Sequence, residues 1–164
     1  MKGDPRSGPS TAFLIAQVGA HAAAKFAERL AVLGLGPAHE GTLRIIQMRS
    51  GISQQALSSV LGILPSRLVV LIDELEERGL VERRNSPADR RVYALHLTRK
   101  GGEVYEAIGK VARAHDDAIC TGLDTDERKT LASLLSRIAE AQGLTPGVHP
   151  GFSTLGMGGR RRDP

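Results

Sequence analysis

Six cations crowd the segment from Val81 to Lys100, namely Arg83, Arg84, Arg90, Arg91, Arg99 and Lys100, against only Glu82 and Asp89. Guanidinium and ammonium groups at this density bind phosphate oxygens, and an arginine at a narrow hairpin tip can enter a minor groove. The groove's negative potential is strongest over A·T-rich DNA. Asp89 stands where it can hold the guanidinium of Arg91, or of Arg90, in one orientation.

A second group lies just upstream. Pro65 to Arg78 opens with Ser66 and Arg67 and turns acidic at Asp73, Glu74, Glu76 and Glu77. A helix that reads base edges must be polar or cationic where it meets them and apolar where it docks on its own domain. Phosphates would repel the acidic half, so this helix would enter a groove N-terminus first. Before it, Ser53, Gln54, Gln55, Ser58 and Ser59 offer short hydroxyls and amides suited to phosphate oxygens, with Ser53 at a helix start that favours an anion.

Each of these residues also has a plain structural use. Arg83 and Arg91 can pair with Asp73, Glu76 or Glu82, and that network is the stronger reading for Arg83 and the weaker one for Arg91. Ser66 and Arg67 can simply finish a solvated helix end. For Gln54 and Gln55 the two readings are close to even.

No nucleophile with a base and an orienting group, no phosphate-cradling glycine loop and no metal-hydrolase motif occurs, so the chain does not read as an enzyme. His21, His39, His96, His115 and His149 are scattered without metal-ligand spacing, and no cofactor is expected. The single cysteine, Cys120, excludes an internal disulfide framework and suits a reducing cytoplasm; it reads as a buried structural thiol. The net charge of +4 permits nucleic-acid binding without demonstrating it. No segment reads as a signal peptide or a membrane span, so a cytoplasmic protein with no membrane partner is expected.

The elements that must position these groups follow from periodicity. With 164 residues, 41% of them hydrophobic, the chain can build one core. Leu14, Val18, Ala22, Phe26, Leu30 and Leu33 form an apolar stripe on a long helix from Thr11, which Gly34, Gly36 and Pro37 end. A second helix is predicted over Ala38 to Met48. Ser53 caps a third, with Leu57, Val60 and Leu61 inward, ending at Gly62. Pro65 opens a fourth, with Leu68, Leu71, Ile72 and Leu75 inward and Gly79 at its end. Two short helices around a turn form a helix-turn-helix. Val81 to Arg84 and the alternating run from Val92 to Leu97 form a hairpin about the turn residues Asn85 to Asp89. Thr98 caps a fifth helix of about five turns. Asp124 and Glu127 open a sixth, with Leu131, Leu134, Leu135 and Ile138 inward.

Three ordered blocks resemble the MarR family of regulators: Leu75-Glu76-Glu77-Arg78-Gly79-Leu80-Val81-Glu82-Arg83, then Asn85-Ser86-Pro87-Ala88-Asp89-Arg90-Arg91, then Leu97-Thr98-Arg99-Lys100-Gly101. The element order is similar from about Thr11 to Gln142, with the diagnostic residues between Ser53 and Gly101. The resemblance implies a mainly α protein with a small β-hairpin wing, an α+β winged helix-turn-helix, dimeric through its N- and C-terminal helices. It implies that Asp89 braces Arg91, that Arg91 enters the minor groove, and that the start of the fourth helix reads bases. It further implies a homodimer on double-stranded DNA with half-sites one turn, ~10 bp, apart. Peroxide sensors of the family carry their reactive cysteine near the first helix, unlike Cys120. Its zinc sensors invite comparison with His39-Glu40 and His115-Asp116, but surface histidines need no such explanation.

The resulting division is a flexible segment 1–10, dimerisation helices at 11–37 and 102–143, a DNA-binding lobe at 38–101 and a disordered Gly/Pro/Arg tail at 144–164. The expected contacts are Ser66 and Arg67 in the recognition helix, Ser53, Gln54, Gln55 and Ser58 on the DNA backbone, and Arg84, Asp89, Arg90 and Arg91 in the wing. Phe13, Gln17, His21, Ile45, Met48 and Arg49 are the expected lining of a pocket for a small-molecule effector, with ordinary core packing as the equal alternative. The expected function is a ligand-responsive transcriptional repressor on a palindromic operator. The alternatives are a winged helix that binds an acidic protein partner, and a ligand-insensitive architectural DNA binder.

Overall fold

The computed structural model describes residues 8–86 and 92–149. Helices α1 (Thr11–Ala31) and α2 (Pro37–Met48) precede a two-residue strand β1 (Ile52–Ser53). Helices α3 (Gln54–Leu61) and α4 (Pro65–Glu77) lead to strands β2 (Val81–Asn85) and β3 (Tyr93–Leu97), and α5 (Arg99–Ile119) and α6 (Thr125–Ala141) follow. Among the described residues no single helix is long and apolar enough to cross a membrane.

The helix starts are set by short polar side chains. The hydroxyls of Ser10, Ser53 and Thr98 accept the backbone N–H groups of Phe13, Ala56 and Gly101, and Asp124 forms a capping box with Glu127. Each satisfies donors that the first turn would otherwise leave open. Gly36 precedes α2, and its N–H donates to Nδ1 of His39, which leaves Nε2 of that ring to donate to Glu74.

Between α3 and α4 the chain turns at Gly62, whose φ of 65° is the left-handed conformation that costs glycine least. The two helices bend by 111° across this break, within the range of a helix-turn-helix. Leu57 and Leu61 on α3 and Leu68, Ile72 and Leu75 on α4 then meet Leu43 and Ile46 of α2 in one buried cluster.

The sheet has the order β1-β3-β2, antiparallel throughout. The hairpin was legible in the sequence, but β1 was not. Two residues give no alternation to read, and Ile52 pairs with Leu95 only because α2 ends opposite β3. Leu95 lies fully buried, so β3 joins the lobe core cluster.

The terminal helices depart from their expected packing. Leu131, Leu134, Leu135 and Ile138 of α6 are all more than a third exposed, and α6 buries no residue. At the opposite end of the chain Phe13, Leu14, Ile15 and Val18 of α1 are exposed as well. The periodicity that marks Leu14, Val18 and the four α6 residues as inward is correct for a helix, but nothing among the described residues of this chain covers them.

The tail expected to be without structure from Leu144 instead folds back over its first six residues. Arg44 donates to the carbonyl of Gly147, and Val148 packs against the core cluster. Arg160, Arg161 and Arg162 lie outside the described residues, as does the segment 1–7.

Candidate nucleic-acid interface

The first and third family-like blocks form a structural clasp. Thr98 Oγ1 donates to the carbonyl of Gly79 at 2.6 Å and accepts the N–H of Gly101, while Thr98 N–H donates to the carbonyl of Leu80. Lys100 Nζ caps the carbonyl of Arg78 at 2.8 Å, and Arg78 in turn donates to the carbonyl of Gly34. A Cβ on Gly101 would lie 1.9 Å from the carbonyl oxygen of Leu80, so only glycine lets α5 start this close to the base of the hairpin. The end of α4, the sheet and the start of α5 are thereby one rigid unit.

Arg83 fixes the hairpin to α4 from the other side. Its guanidinium bonds Asp73 and Glu76 of α4, and its Nε donates to Gln54 Oε1 of α3 at 3.0 Å. Burial opposes the charge, but the two carboxylates outweigh it and hold the guanidinium pKa above the ordinary arginine value. The ion-pair reading of Arg83 is therefore the one the geometry supports, and Gln54 turns its carbonyl oxygen inward to complete it.

The remaining sequence-derived contacts separate into groups. Ser66 is exposed and Arg67 half-buried in the first turn of α4, where the N–H groups of a helix start also face outward. Gln55 is exposed on α3, and Ser53 is half-buried with its hydroxyl engaged as the α3 cap. Arg84 is exposed and paired with Glu82. Ser58 is a correction: it is only 5% exposed and donates to the carbonyl of Ile63 at 2.6 Å, which braces the turn between the two helices. It has no path to a phosphate. Asp89, Arg90 and Arg91 lie outside the described residues.

Sequence reasoning missed two residues on this surface. Val69 and Val70 are 42% and 58% exposed on α4, where the inward stripe runs instead through Leu68, Ile72 and Leu75. A signal is present for Val70, which falls outside the stripe's spacing of three and four, whereas Val69 stands three residues before Ile72 and only the fold exposes it.

The expected effector lining does not assemble. Ile45 is in the core, while Phe13, Gln17, His21, Met48 and Arg49 are exposed. A cavity of about 380 Å³ opens further along α1, between Ala23, Ala24, Phe26 and Ala27 and the α2 residues Pro37, Glu40, Gly41 and Arg44, with His149 at its edge. Burial raises the pKa of Glu40, with Arg44 acting in the opposite direction. Phe26 also meets the ring of His115 at 5.2 Å between centroids. Burial, and then the nearby Arg29, lower the pKa of that histidine.

Cys120 is half-exposed at the end of α5, its thiol 4.0 Å from Asp116 Oδ1, rather than buried in the core. The core it was expected to join ends earlier on α5, at Ile108, its last fully buried residue.

The surroundings of this surface match known regulators. The MarR family sequence model matches residues 33–92. A candidate transcriptional regulatory protein for the hcr operon of Thauera aromatica is 35% identical over 113 residues, 69% of this chain and 68% of that protein. Wild-type MarR from E. coli superposes with a TM-score of 0.72 at 25% identity, covering 81% of this chain and 98% of that one. The transcriptional repressor CouR, in a structure with a 23-mer DNA duplex, gives a TM-score of 0.70 at 32% identity over 79% of this chain and 92% of its own. With the clasp, the helix-turn-helix and the hairpin in this order, the chain belongs to the MarR family of transcriptional regulators.

Proposed function

We propose that this regulator is a ligand-responsive repressor that binds a palindromic operator as a homodimer. The observation that carries the reading is the rigid seating of α4. Arg83 anchors its second half through Asp73 and Glu76, which leaves that half acidic, and its first turn projects Ser66 beside Arg67. That is the orientation required for N-terminus-first insertion into a major groove. CouR, which shares the fold at 32% identity, is held on a DNA duplex in its structure.

The second copy would seat on the outer ends of α1 and α6. Thr11 and Ile15 of α1 and Leu131, Leu134, Leu135 and Ile138 of α6 line one open groove. Exposed apolar surface of this extent marks an association site, and a two-fold dimer would bury it against its own counterpart. A two-fold axis there sets the two copies of α4 apart and gives the operator its palindromic form.

An effector in the cavity between α1 and α2 would touch both the dimerisation helix and the lobe. It would favour one spacing of the two reading helices over another and so change operator affinity, and DNA would change effector affinity by the same factor. The wing contact assigned to Arg91, braced by Asp89 with Arg90 beside it, belongs to this reading.

Binding-site selection from random duplex DNA, run at two salt concentrations with wild type and Arg91→Ala, tests the proposal. A palindromic motif that Arg91→Ala binds more weakly is the expected result. Salt-sensitive binding without a motif would favour an architectural role, and no DNA binding would favour a protein partner.

A further inference from the structure

We infer that Val70, with Val69 beside it, recognises thymine C5-methyl groups in the major groove and so determines part of the operator sequence. The inference rests on α4 being the groove helix, as proposed above. At about 100° per residue the buried stripe of Leu68, Ile72 and Leu75 puts Val70, Ser66 and Asp73 on the opposite side of α4. Val69 stands on one shoulder of that face and Arg67 on the other.

The chemistry of this face is limited. Ser66 brings one hydroxyl, Asp73 has one carboxylate oxygen held by Arg83, and the exposed Glu77 stands two turns beyond Val70 in the acidic half that phosphates repel. Between Ser66 and Asp73 the helix presents a valine that is 58% exposed, with a second at 42%. Exposed β-branched residues lower helix propensity and leave apolar surface in water, so their placement in α4 has a cost without a folding benefit. The base edge that an isopropyl group can recognise in the major groove is the methyl of thymine, through which A·T is distinguished from G·C without a hydrogen bond. Two side chains make a patch too small for a protein interface, which needs about 20 to 30 residues a side.

The test uses the intact protein and the motif obtained by site selection. Deoxyuridine is placed for thymidine one position at a time, which removes only the methyl group. Wild type should bind about fourfold more weakly at one or two positions in each half-site, the effect of one buried methyl. Val70→Ala, or Val69→Ala for a neighbouring position, should bind the thymine and uracil duplexes equally well there. Both side chains are outside the core, so alanine leaves the fold in place, which circular dichroism checks. Uracil without effect at every position would overturn the inference, and so would a uracil penalty that persists unchanged in both valine variants. In either case the regulator reading stands, because the motif was found; the absence of any motif would defeat that reading and this one together.

Discussion

The reading lobe and the paired terminal helices contain similar leucine-rich stripes and use them in opposite ways. In the lobe, Leu43, Ile46, Leu57, Leu68, Ile72, Leu75 and Leu95 are sealed against one another, each contributing about 2 kcal/mol of burial. In α6, Leu131, Leu134, Leu135 and Ile138 stay 40–47% exposed along a groove shared with the start of α1. The lobe completes its core within one chain, whereas the terminal helices hold an apolar surface that one chain cannot cover. In the proposed dimer the two regions would divide the work: one would present a fixed surface, the other would set how two such surfaces are spaced.

The strongest way to break this division is to charge the groove. Leu134→Asp combined with Leu135→Asp should abolish the homodimer in sedimentation velocity. It should weaken binding to the full palindrome on the order of a hundredfold, because the second half-site is no longer tethered. The lobe should remain folded, since neither residue contributes to its core; collapse of the lobe would show that the two regions are not independent.

The clasp offers a smaller effect confined to the lobe. Gly101→Ala sets a Cβ against the Leu80 carbonyl and should destabilise the lobe by about 3 kcal/mol in urea unfolding, as over-packing against backbone does. The proposed association surface on α6 lies far along the chain from this substitution and should be unchanged. A stability near wild type would mean that α5 can shift away from the sheet without loss.

The seam between the regions gives the smallest change. Burial raises the folded-state pKa of Glu40, so the native state favours the protonated carboxyl. The stability contributed by that preference is fully present below the unfolded pKa and lost as pH rises through the folded pKa. Glu40→Gln removes the loss, and should gain at most ~1 kcal/mol over wild type at neutral pH, with the gain vanishing in acid. Parallel pH profiles for the two proteins would show that Arg44, 3.6 Å away, fully compensates the burial.

Local chemistry made most of the lobe readable. Ser53, Thr98 and Asp124 marked helix starts because short acceptors satisfy the first-turn donors, and Gly62 and Gly79 marked helix ends because the left-handed turn favours glycine. The arginines of the hairpin were readable as charge but not as partners. Arg83 is seven and ten residues from Glu76 and Asp73, and only the fold of β2 onto α4 selects those carboxylates over Glu82. Ser58 looked like its neighbours Gln55 and Ser59 in the sequence, and its burial depends on the turn that follows it.

Caps, turns and periodicity act over a few residues, so the order of the six helices, the helix-turn-helix with its charged hairpin and the likeness to a family of regulators were all legible in the sequence, while β1 was not. The tertiary structure decided which polar groups are consumed internally and which face outward. It locked Arg83, Gln54 and Ser58 into the lobe, brought Val148 back onto the core, exposed Val69 and Val70, and left α1 and α6 with an open apolar groove. Those outcomes depend on contacts between residues far apart in the chain, and local preference carries no information about them.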